Sequence, residues 1–201
     1  MLKQTFIIIY FFGLIISNGT RISYTKSSRH NQIHANRKSG IDTLLIILSG
    51  LSMTVLPVIY AATSWLNFAD YALSDNWRIT LGLGGTSILA GVIWLLRQSH
   101  LELGRNWTPT LQLREAHQLV TSGIYSLVRH PMYAAYWGWA LAQAMLLQNL
   151  IVGFSMLIIF LPTYFYRIPH EEQMMQDYFG EVYQEYMKRT GRIFPRWNKI
   201  N

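Results

Sequence analysis

The chain has 201 residues, a length that suits a single domain. Hydrophobic residues make up 51% of it and charged residues only 13%, against about 25% charged in a typical soluble domain. This composition favours a membrane protein, in which lipid covers much of the apolar surface. The sequence has no cysteine, which excludes disulfides, thiolate catalysis and Cys-ligated zinc. The net charge of +7 does not predict nucleic-acid binding, because the basic residues flank apolar runs.

The first apolar run covers residues 6–16, and its 11 residues are short for a membrane span. It fits a cleaved signal, a tilted or interfacial anchor, or a span completed by neighbouring residues. We favour an uncleaved anchor, because a translocated N-terminus would conflict with the charge pattern described below. The polar, basic residues 21–40 are expected to form a flexible cytoplasmic segment. His30 and His34 have helical i, i+4 spacing, but no further ligand accompanies them, so we predict no metal site.

Four longer apolar stretches predict membrane-spanning helices. They cover residues 41–63, 77–96, 132–147 and 150–166. Pro57 predicts a kink that is tolerated where neighbouring groups satisfy the freed carbonyl. Gly82, Thr86 and Ala90 recur every four residues and predict close approach of a partner helix. The fold class is therefore all-α: a polytopic membrane protein with four clear transmembrane helices, a short N-terminal fifth left open, and a cytoplasmic amphipathic C-terminal helix.

The positions of the basic residues predict the orientation in the membrane. Of the 17 Lys and Arg residues, 15 lie in segments 21–40, 97–131 and 167–201. Alternating spans place all three segments on one side, and the loop with Asp70 and Asp75 on the other. By the positive-inside rule the basic side is cytoplasmic. We expect a protein of the bacterial inner membrane or the endoplasmic reticulum, with its polar C-terminal segments in the cytoplasm.

An amphipathic pattern follows the last apolar run. Pro169 suits the first position of a helix, which would place Glu171 and Glu172 in its first turn. An apolar stripe then recurs at helical spacing. It consists of Met175, Phe179, Val182 and Tyr186. The two acids point about 100° apart on a helix, so at most one is expected to face a ligand. Alternatively, both acids complement the helix dipole.

The last two apolar runs predict a helical hairpin, because the polar tip Gln148-Asn149 separates them. Each run would rise about 25 Å as a helix. The hairpin would bring His130-Pro131 and Glu171-Glu172 to one side of the membrane. A simpler interpretation also remains open: Pro131 starts a helix, His130 forms an interfacial hydrogen bond, and Arg129 is an interfacial anchor.

Motifs in a fixed order strengthen the functional interpretation. They lie in residues 103–110 (LGRNWTPT), 117–135 (HQLVTSGIYSLVRHPMYAA), 167–172 (R-x-x-x-E-E), 179–186 (F-G-x-x-Y-x-x-Y) and 192–195 (RIFP). In this order the chain resembles the isoprenylcysteine carboxyl methyltransferase / phospholipid methyltransferase group of integral-membrane, S-adenosylmethionine-dependent enzymes. The resemblance covers the C-terminal 45% of the chain, about 90 residues. The sequence departs from the common pattern at Ile124, where proline is usual, and at Ala135, where glycine is usual.

The resemblance implies S-adenosylmethionine as the cofactor, bound on the cytoplasmic side. The residues it implies for cofactor binding are Leu119, Val120, Gly123, Tyr125, His130, Pro131, Tyr133, Glu171, Glu172 and Tyr183. Arg167 and Glu172 are the candidate catalytic residues. Arg167 is the candidate to hold an anionic acceptor, because a guanidinium binds a carboxylate through two nitrogens. The alternative for Arg167 is an interfacial anchor at the end of a helix.

The implied partners are membrane lipids and a lipophilic methyl acceptor that enters from the bilayer. The carboxylate of an isoprenylcysteine-like molecule is the acceptor we expect. The alternative acceptor is a phospholipid amine. The alternative functions are a sterol-type NADPH reductase, which has a similar hairpin, and a non-catalytic membrane protein. We divide the chain into an anchor and basic segment (1–40), a transmembrane pair (41–98) and a methyltransferase core (99–201). The sequence does not determine the oligomeric state.

Overall fold

The computed structural model describes residues 2–28, 33–36, 39–107, 110, 112–114 and 118–196. Helices dominate this part of the chain. They are α1 (Leu2–Ser28), α2 (Gly40–Gly50), α3 (Leu56–Ala62), α4 (Asp75–Leu103), α5 (Pro131–Leu147), α6 (Leu150–Phe179) and α7 (Glu181–Arg189). A π-helical turn, Leu51–Val55, joins α2 to α3. Two short strands, β1 (Ile33–Asn36) and β2 (Gln112–Arg114), pair antiparallel. His30, from the histidine pair considered above, lies outside the described residues.

The predicted all-α membrane architecture is confirmed. Within the part of the chain that the structure describes, four helical segments are long and apolar enough to cross a bilayer: Leu2–Ile22, Gly40–Ala62, Asp75–Leu103 and Leu150–Phe179. The 17 residues of α5 add a helix about 25 Å long between them. The N-terminal helix is longer than its apolar run predicted, because it continues to Ser28 through residues that we expected to be flexible.

Helix α5 lies at the centre of the bundle. It packs against α1, α4 and α6, while α2 packs against α6. Trp139 and Ala142 on α5 are completely buried, whereas apolar side chains such as Phe12 and Ile158 remain exposed on the outer surface, as expected for a lipid-facing side. The predicted close approach at Gly82 is present, because a side chain there would overlap the Phe6 ring of α1.

A π-helical turn, Leu51–Val55, lies directly before α3, so the helical hydrogen-bond pattern changes next to Pro57, where the sequence predicted a kink. A proline has no N–H, so the carbonyl of Met53, four residues earlier, loses its helical donor. The carbonyl of Ser52 lies beside it in the π-helical turn. The carbonyl of Met53 lies 2.6 Å from the Tyr10 hydroxyl of α1, and the carbonyl of Ser52 accepts from the Gln143 amide of α5 at 3.1 Å. Neighbouring helices therefore satisfy these carbonyls, as a membrane interior requires.

A cluster of hydrogen bonds around Asp70 lies at the end of the bundle where the hairpin turns. Asp70 accepts hydrogen bonds from Lys3 at 2.6 Å, from Tyr60 at 2.6 Å and from Asn149 at 2.9 Å. Burial tends to raise the pKa of Asp70, but these hydrogen bonds lower it below its usual value. Lys3 thus lies on the Asp70 side of the bundle. The charge pattern did not predict this placement, in which Asp70 neutralises the Lys3 ammonium.

The predicted helix start at Pro169 is also wrong. Pro162 and Pro169 both lie inside the 30-residue α6, which continues to Phe179. Each proline removes only one backbone hydrogen bond, and membrane helices tolerate this loss. The break comes at Gly180, whose φ of 57° ends α6 and divides the predicted amphipathic stripe between α6 and α7. Glu171 and Glu172 are therefore not in a first turn, and the helix-dipole interpretation does not apply.

We predict that Tyr10→Phe destabilises the protein, because the partly buried Met53 carbonyl loses its hydroxyl partner. The expected loss is about 1–3 kcal/mol of unfolding free energy, seen as a lower midpoint of thermal unfolding in detergent. Thr80→Val is the matched control, since this exposed hydroxyl bonds only within its own helix. An unchanged midpoint for Tyr10→Phe would show that the carbonyl is satisfied in another way.

Candidate active site

A cavity of about 220 Å³ lies at the end of the bundle away from Asp70. Most of the residues predicted to bind the cofactor line it. These are Leu119, Val120, Tyr125, His130, Pro131, Tyr133, Glu171 and Tyr183, and the candidate catalytic residue Arg167 lines it as well. Gly123 and Glu172 are not among the lining residues. The hairpin α5–α6 therefore brings the two polar clusters together, as the sequence predicted.

Glu172 forms the centre of a cluster of basic side chains. It is only 4% exposed. Its carboxylate lies 3.0 Å from Nη2 of Arg129, 2.7 Å from Nη2 of Arg192 and 3.3 Å from Nε2 of His130. A buried carboxylate needs such partners, because its desolvation is otherwise costly. The cluster joins α6 to the start of α5 and to the segment after α7.

Arg129 connects the segment after α7 to the start of α5 through hydrogen bonds. Its guanidinium donates to the backbone carbonyls of Met187, at 3.2 Å, and of Thr190. The backbone N–H of Arg129 also donates to the carbonyl of Gly191 at 2.8 Å. The Arg129 side chain is only 8% exposed. The interpretation of Arg129 as an interfacial anchor therefore does not describe its surroundings.

Arg129 and Arg192 are site residues that our reading of the sequence missed. Both stood in quoted motifs, R-H-P and R-I-F-P, so a signal for them was present. Sequence spacing alone did not indicate that either arginine pairs with Glu172, because the contacts join segments 43 and 20 residues apart.

Glu171 faces the cavity. Its side chain is 32% exposed and accepts a hydrogen bond from the Tyr133 hydroxyl at 2.9 Å. The other carboxylate oxygen lies 3.9 Å from Nδ1 of His130. The expected divergence of the acid pair is thus confirmed: one acid faces the cavity and Glu172 turns into the arginine cluster. The predicted meeting of His130 with these acids is also confirmed, since the imidazole contacts both.

Gly123 shapes the turn that precedes the cavity wall. Its φ is 56°, and a side chain there would overlap the Glu102 carboxylate. That carboxylate accepts the backbone N–H of Ile124 at 2.7 Å. Gly123 therefore acts through backbone conformation and space, while Glu102 is a further residue that the sequence reading missed.

Helix α7 is attached over the same turn. The Tyr186 hydroxyl donates to the backbone carbonyl of Tyr125 at 2.6 Å. Burial raises the pKa of Tyr186 to about 12, so the hydroxyl keeps its proton at physiological pH. Tyr183, one turn earlier, is 2% exposed and contributes to the cavity lining. Helix α7 thus covers the cavity with aromatic side chains.

Arg167 belongs to a second buried ion pair at the cavity. Its Nε lies 3.2 Å from Oδ1 of Asp42 on α2. Asp42 is completely buried. An interfacial anchor at the end of a helix would not require this buried partner, and α6 continues for three more turns beyond Arg167.

The remaining lining is apolar and reaches between α2, α5 and α6. It includes Ile46, Met53, Tyr136, Met156 and Phe160. The cavity therefore combines a polar wall that carries both charges with an apolar wall at the level of the spans. Such a lining suits a ligand that has a charged group and a hydrophobic group. Among the quoted motif residues, Thr108, Pro109 and His117 lie outside the described part of the chain.

Comparison with known proteins agrees with these motifs. Residues 86–177 match the isoprenylcysteine carboxyl methyltransferase (ICMT) family. Protein-S-isoprenylcysteine O-methyltransferase B of Arabidopsis thaliana is 30% identical over 165 residues, which cover 81% of this chain and 82% of that protein. The human protein-S-isoprenylcysteine O-methyltransferase is 27% identical over 217 residues, which cover 95% of this chain and 75% of that protein.

Among solved structures, the eukaryotic intramembrane Ras methyltransferase ICMT matches with a TM-score of 0.48 and 23% sequence identity. The match covers 81% of this chain and 54% of that chain. The family assignment follows from the sequence relatives and from the motifs that line the cavity. The chain belongs to the isoprenylcysteine carboxyl methyltransferase family of integral-membrane methyltransferases.

Proposed function

We propose that this protein methylates the carboxylate of an isoprenylcysteine-like acceptor and uses S-adenosylmethionine as the methyl donor. The observation that carries the proposal is the cavity itself. Glu171 and Tyr133 form a polar wall, Arg167 adds a cation, and Met156 and Phe160 continue the lining into the bilayer. Each of these features corresponds to one part of the two substrates.

The residues present fit the proposed donor. Glu171 offers a partly exposed carboxylate, which suits an ammonium group or ribose hydroxyls. Tyr125 and Tyr183 present buried aromatic side chains to the same cavity. Once bound, S-adenosylmethionine supplies a methyl group activated by its positively charged sulfur. Glu171 would bind and orient it, while helix α7 would limit the access of water.

Arg167 is the proposed binding group for the acceptor carboxylate. A carboxylate is already nucleophilic, so its methylation requires no general base. The protein then contributes mainly by holding the reacting groups in line, which supplies up to about 7–11 kcal/mol in favourable cases. The apolar lining around Met53, Met156 and Phe160 would receive the lipophilic part of the acceptor from the membrane.

Glu172, which the resemblance suggested as a catalytic residue, is better proposed as a positioning residue. Its carboxylate oxygens are already engaged by Arg129, Arg192 and His130. The cluster keeps the His130 imidazole against the cavity and keeps the segment after α7 closed over it. In this proposal Glu171 binds the donor, whereas Glu172 holds the surrounding residues in position.

We also propose that the cavity faces the cytoplasm, in the bacterial inner membrane or the endoplasmic reticulum. Arg21, Arg129 and Arg167 all line the cavity end of the bundle, and the positive-inside rule places such an end on the cytoplasmic side. A water-soluble donor would then enter from the cytoplasm, and the acceptor would enter from the lipid.

We predict that the purified protein transfers label from methyl-labelled S-adenosylmethionine to an S-farnesylated N-acetylcysteine, with the product identified by mass. The methyl ester of that molecule is the control and should accept no label, because its carboxylate is already esterified. Label on phosphatidylethanolamine instead would indicate an amine acceptor, and binding of NADPH without methyl transfer would contradict the proposal.

We predict that Glu171→Gln weakens S-adenosylmethionine binding about tenfold to a hundredfold, because a charge-assisted hydrogen bond contributes about 1.5–3 kcal/mol. Isothermal titration calorimetry measures this effect. Its unfolding midpoint should change little, since Glu171 is partly exposed.

We predict the opposite result for the neighbouring Glu172→Gln. Loss of this buried charge leaves two arginines without their carboxylate, and the expected cost is about 3–5 kcal/mol of unfolding free energy. Glu185→Gln, on the exposed face of α7, is the control for both substitutions. Equal effects of Glu171→Gln and Glu172→Gln on binding and stability would refute the proposed division of roles.

A further inference from the structure

Asp42 is a completely buried carboxylate in the first turn of α2. A buried carboxylate requires compensation for the hydration that it has lost. Within the described part of the chain, neither oxygen of Asp42 makes a hydrogen bond of good geometry. The compensation that the structure shows is the ion pair with Arg167, at 3.2 Å from Oδ1 to Nε.

Two polar bridges hold α2 and α6 together along the interface that contains this pair. The Ser39 hydroxyl caps α2 by accepting the N–H of Asp42 at 3.0 Å, and it lies 2.9 Å from the hydroxyl of Tyr166. Further along, the hydroxyls of Ser49 and Thr163 are 3.2 Å apart. The position of α2 relative to α6 is thus determined on both sides of Asp42, which holds its carboxylate next to Arg167.

We propose that Asp42 is a positioning residue for the acceptor: it holds the Arg167 guanidinium at the cavity wall where the acceptor carboxylate binds. The inference rests on the function proposed above and deepens it. A free arginine side chain carries about 2 kcal/mol of rotamer entropy, so fixing Nε in advance makes binding of a second carboxylate more favourable. Asp42 itself touches no substrate in this proposal.

The direction in which acceptor binding changes when the Asp42 carboxylate is removed distinguishes a positioning role from simple charge compensation. If Asp42 only reduced the positive charge of Arg167, its removal would strengthen binding of an anionic acceptor. If Asp42 holds the guanidinium in place, its removal weakens that binding. Donor binding depends on Glu171 and should not change in either case, because Asp42 contributes no side chain to the cavity lining.

The experiment compares Asp42→Asn, Asp42→Glu and Asp75→Asn in one detergent. Asp75 occupies the first turn of α4 but is exposed, so it is the matched control. We measure kcat, the KM for an S-farnesylated N-acetylcysteine, and direct binding of that molecule and of S-adenosylmethionine by calorimetry. For Asp42→Asn we expect the acceptor KM and Kd to rise at least tenfold, with donor Kd unchanged within twofold. Asp42→Glu should recover part of the loss, and Asp75→Asn should behave as the wild type.

A double-mutant cycle tests whether Asp42 acts through Arg167. In an Arg167→Gln background, Asp42→Asn should change acceptor binding less than twofold. Full, independent losses from the two substitutions would overturn the proposal, as would an unchanged or lower acceptor Kd in Asp42→Asn. If Asp42→Asn does not fold, Asp42→Ser replaces it, and an acceptor Kd equal to or lower than that of the wild type would overturn the inference.

The binding measurement also separates this inference from the proposed function. A wild-type protein that binds the farnesylated carboxylate but transfers no methyl group would refute the function. In that case the acceptor Kd of Asp42→Asn would still decide whether Asp42 positions Arg167.

Discussion

The pairing of one buried carboxylate with two arginines holds the active end of this protein together. Glu172 on α6 meets Arg129 at the start of α5 and Arg192 after α7, so three segments far apart in sequence depend on one charged group. Membrane-embedded helices gain little from the hydrophobic effect among themselves, because lipid is as apolar as their side chains. A polar cluster at the membrane boundary therefore contributes both stability and a defined relative position of the segments.

The sequence predicted the helical hairpin because its evidence is local: two apolar runs, a polar tip and a proline after His130. It also predicted that the acids would diverge, since residue spacing on a helix is fixed. It failed at Pro169, where a general preference of proline for helix starts was overridden by the continuity of a span. The pairing of Lys3 with Asp70 was missed for another reason, because contacts between segments 67 residues apart leave no local pattern.

The residues at the cavity come both from the C-terminal motifs and from the N-terminal half, where no motif was recognised. His130, Tyr133 and Glu171 came from the resemblance, and the geometry groups them at one cavity. The buried Asp42 lies in the N-terminal half, where no motif could be recognised. A single carboxylate in an apolar helix is a recognisable signal, since such groups are rare in spans and seldom lack a role. Its partner, however, becomes evident only from the fold.

The unbroken course of α6 has a consequence for where the reaction takes place. From Asn149, beside Asp70, to Glu171 the helix advances 22 residues, or about 33 Å, which slightly exceeds the thickness of the hydrocarbon layer. A helix that ended at Pro169 would leave the following acids free to fold back toward the lipid. As a continuous helix, α6 instead carries them about one hydrocarbon thickness away from Asn149. Under the function proposed above, a water-soluble donor and a lipophilic acceptor could then both reach these acids at the edge of the hydrocarbon layer.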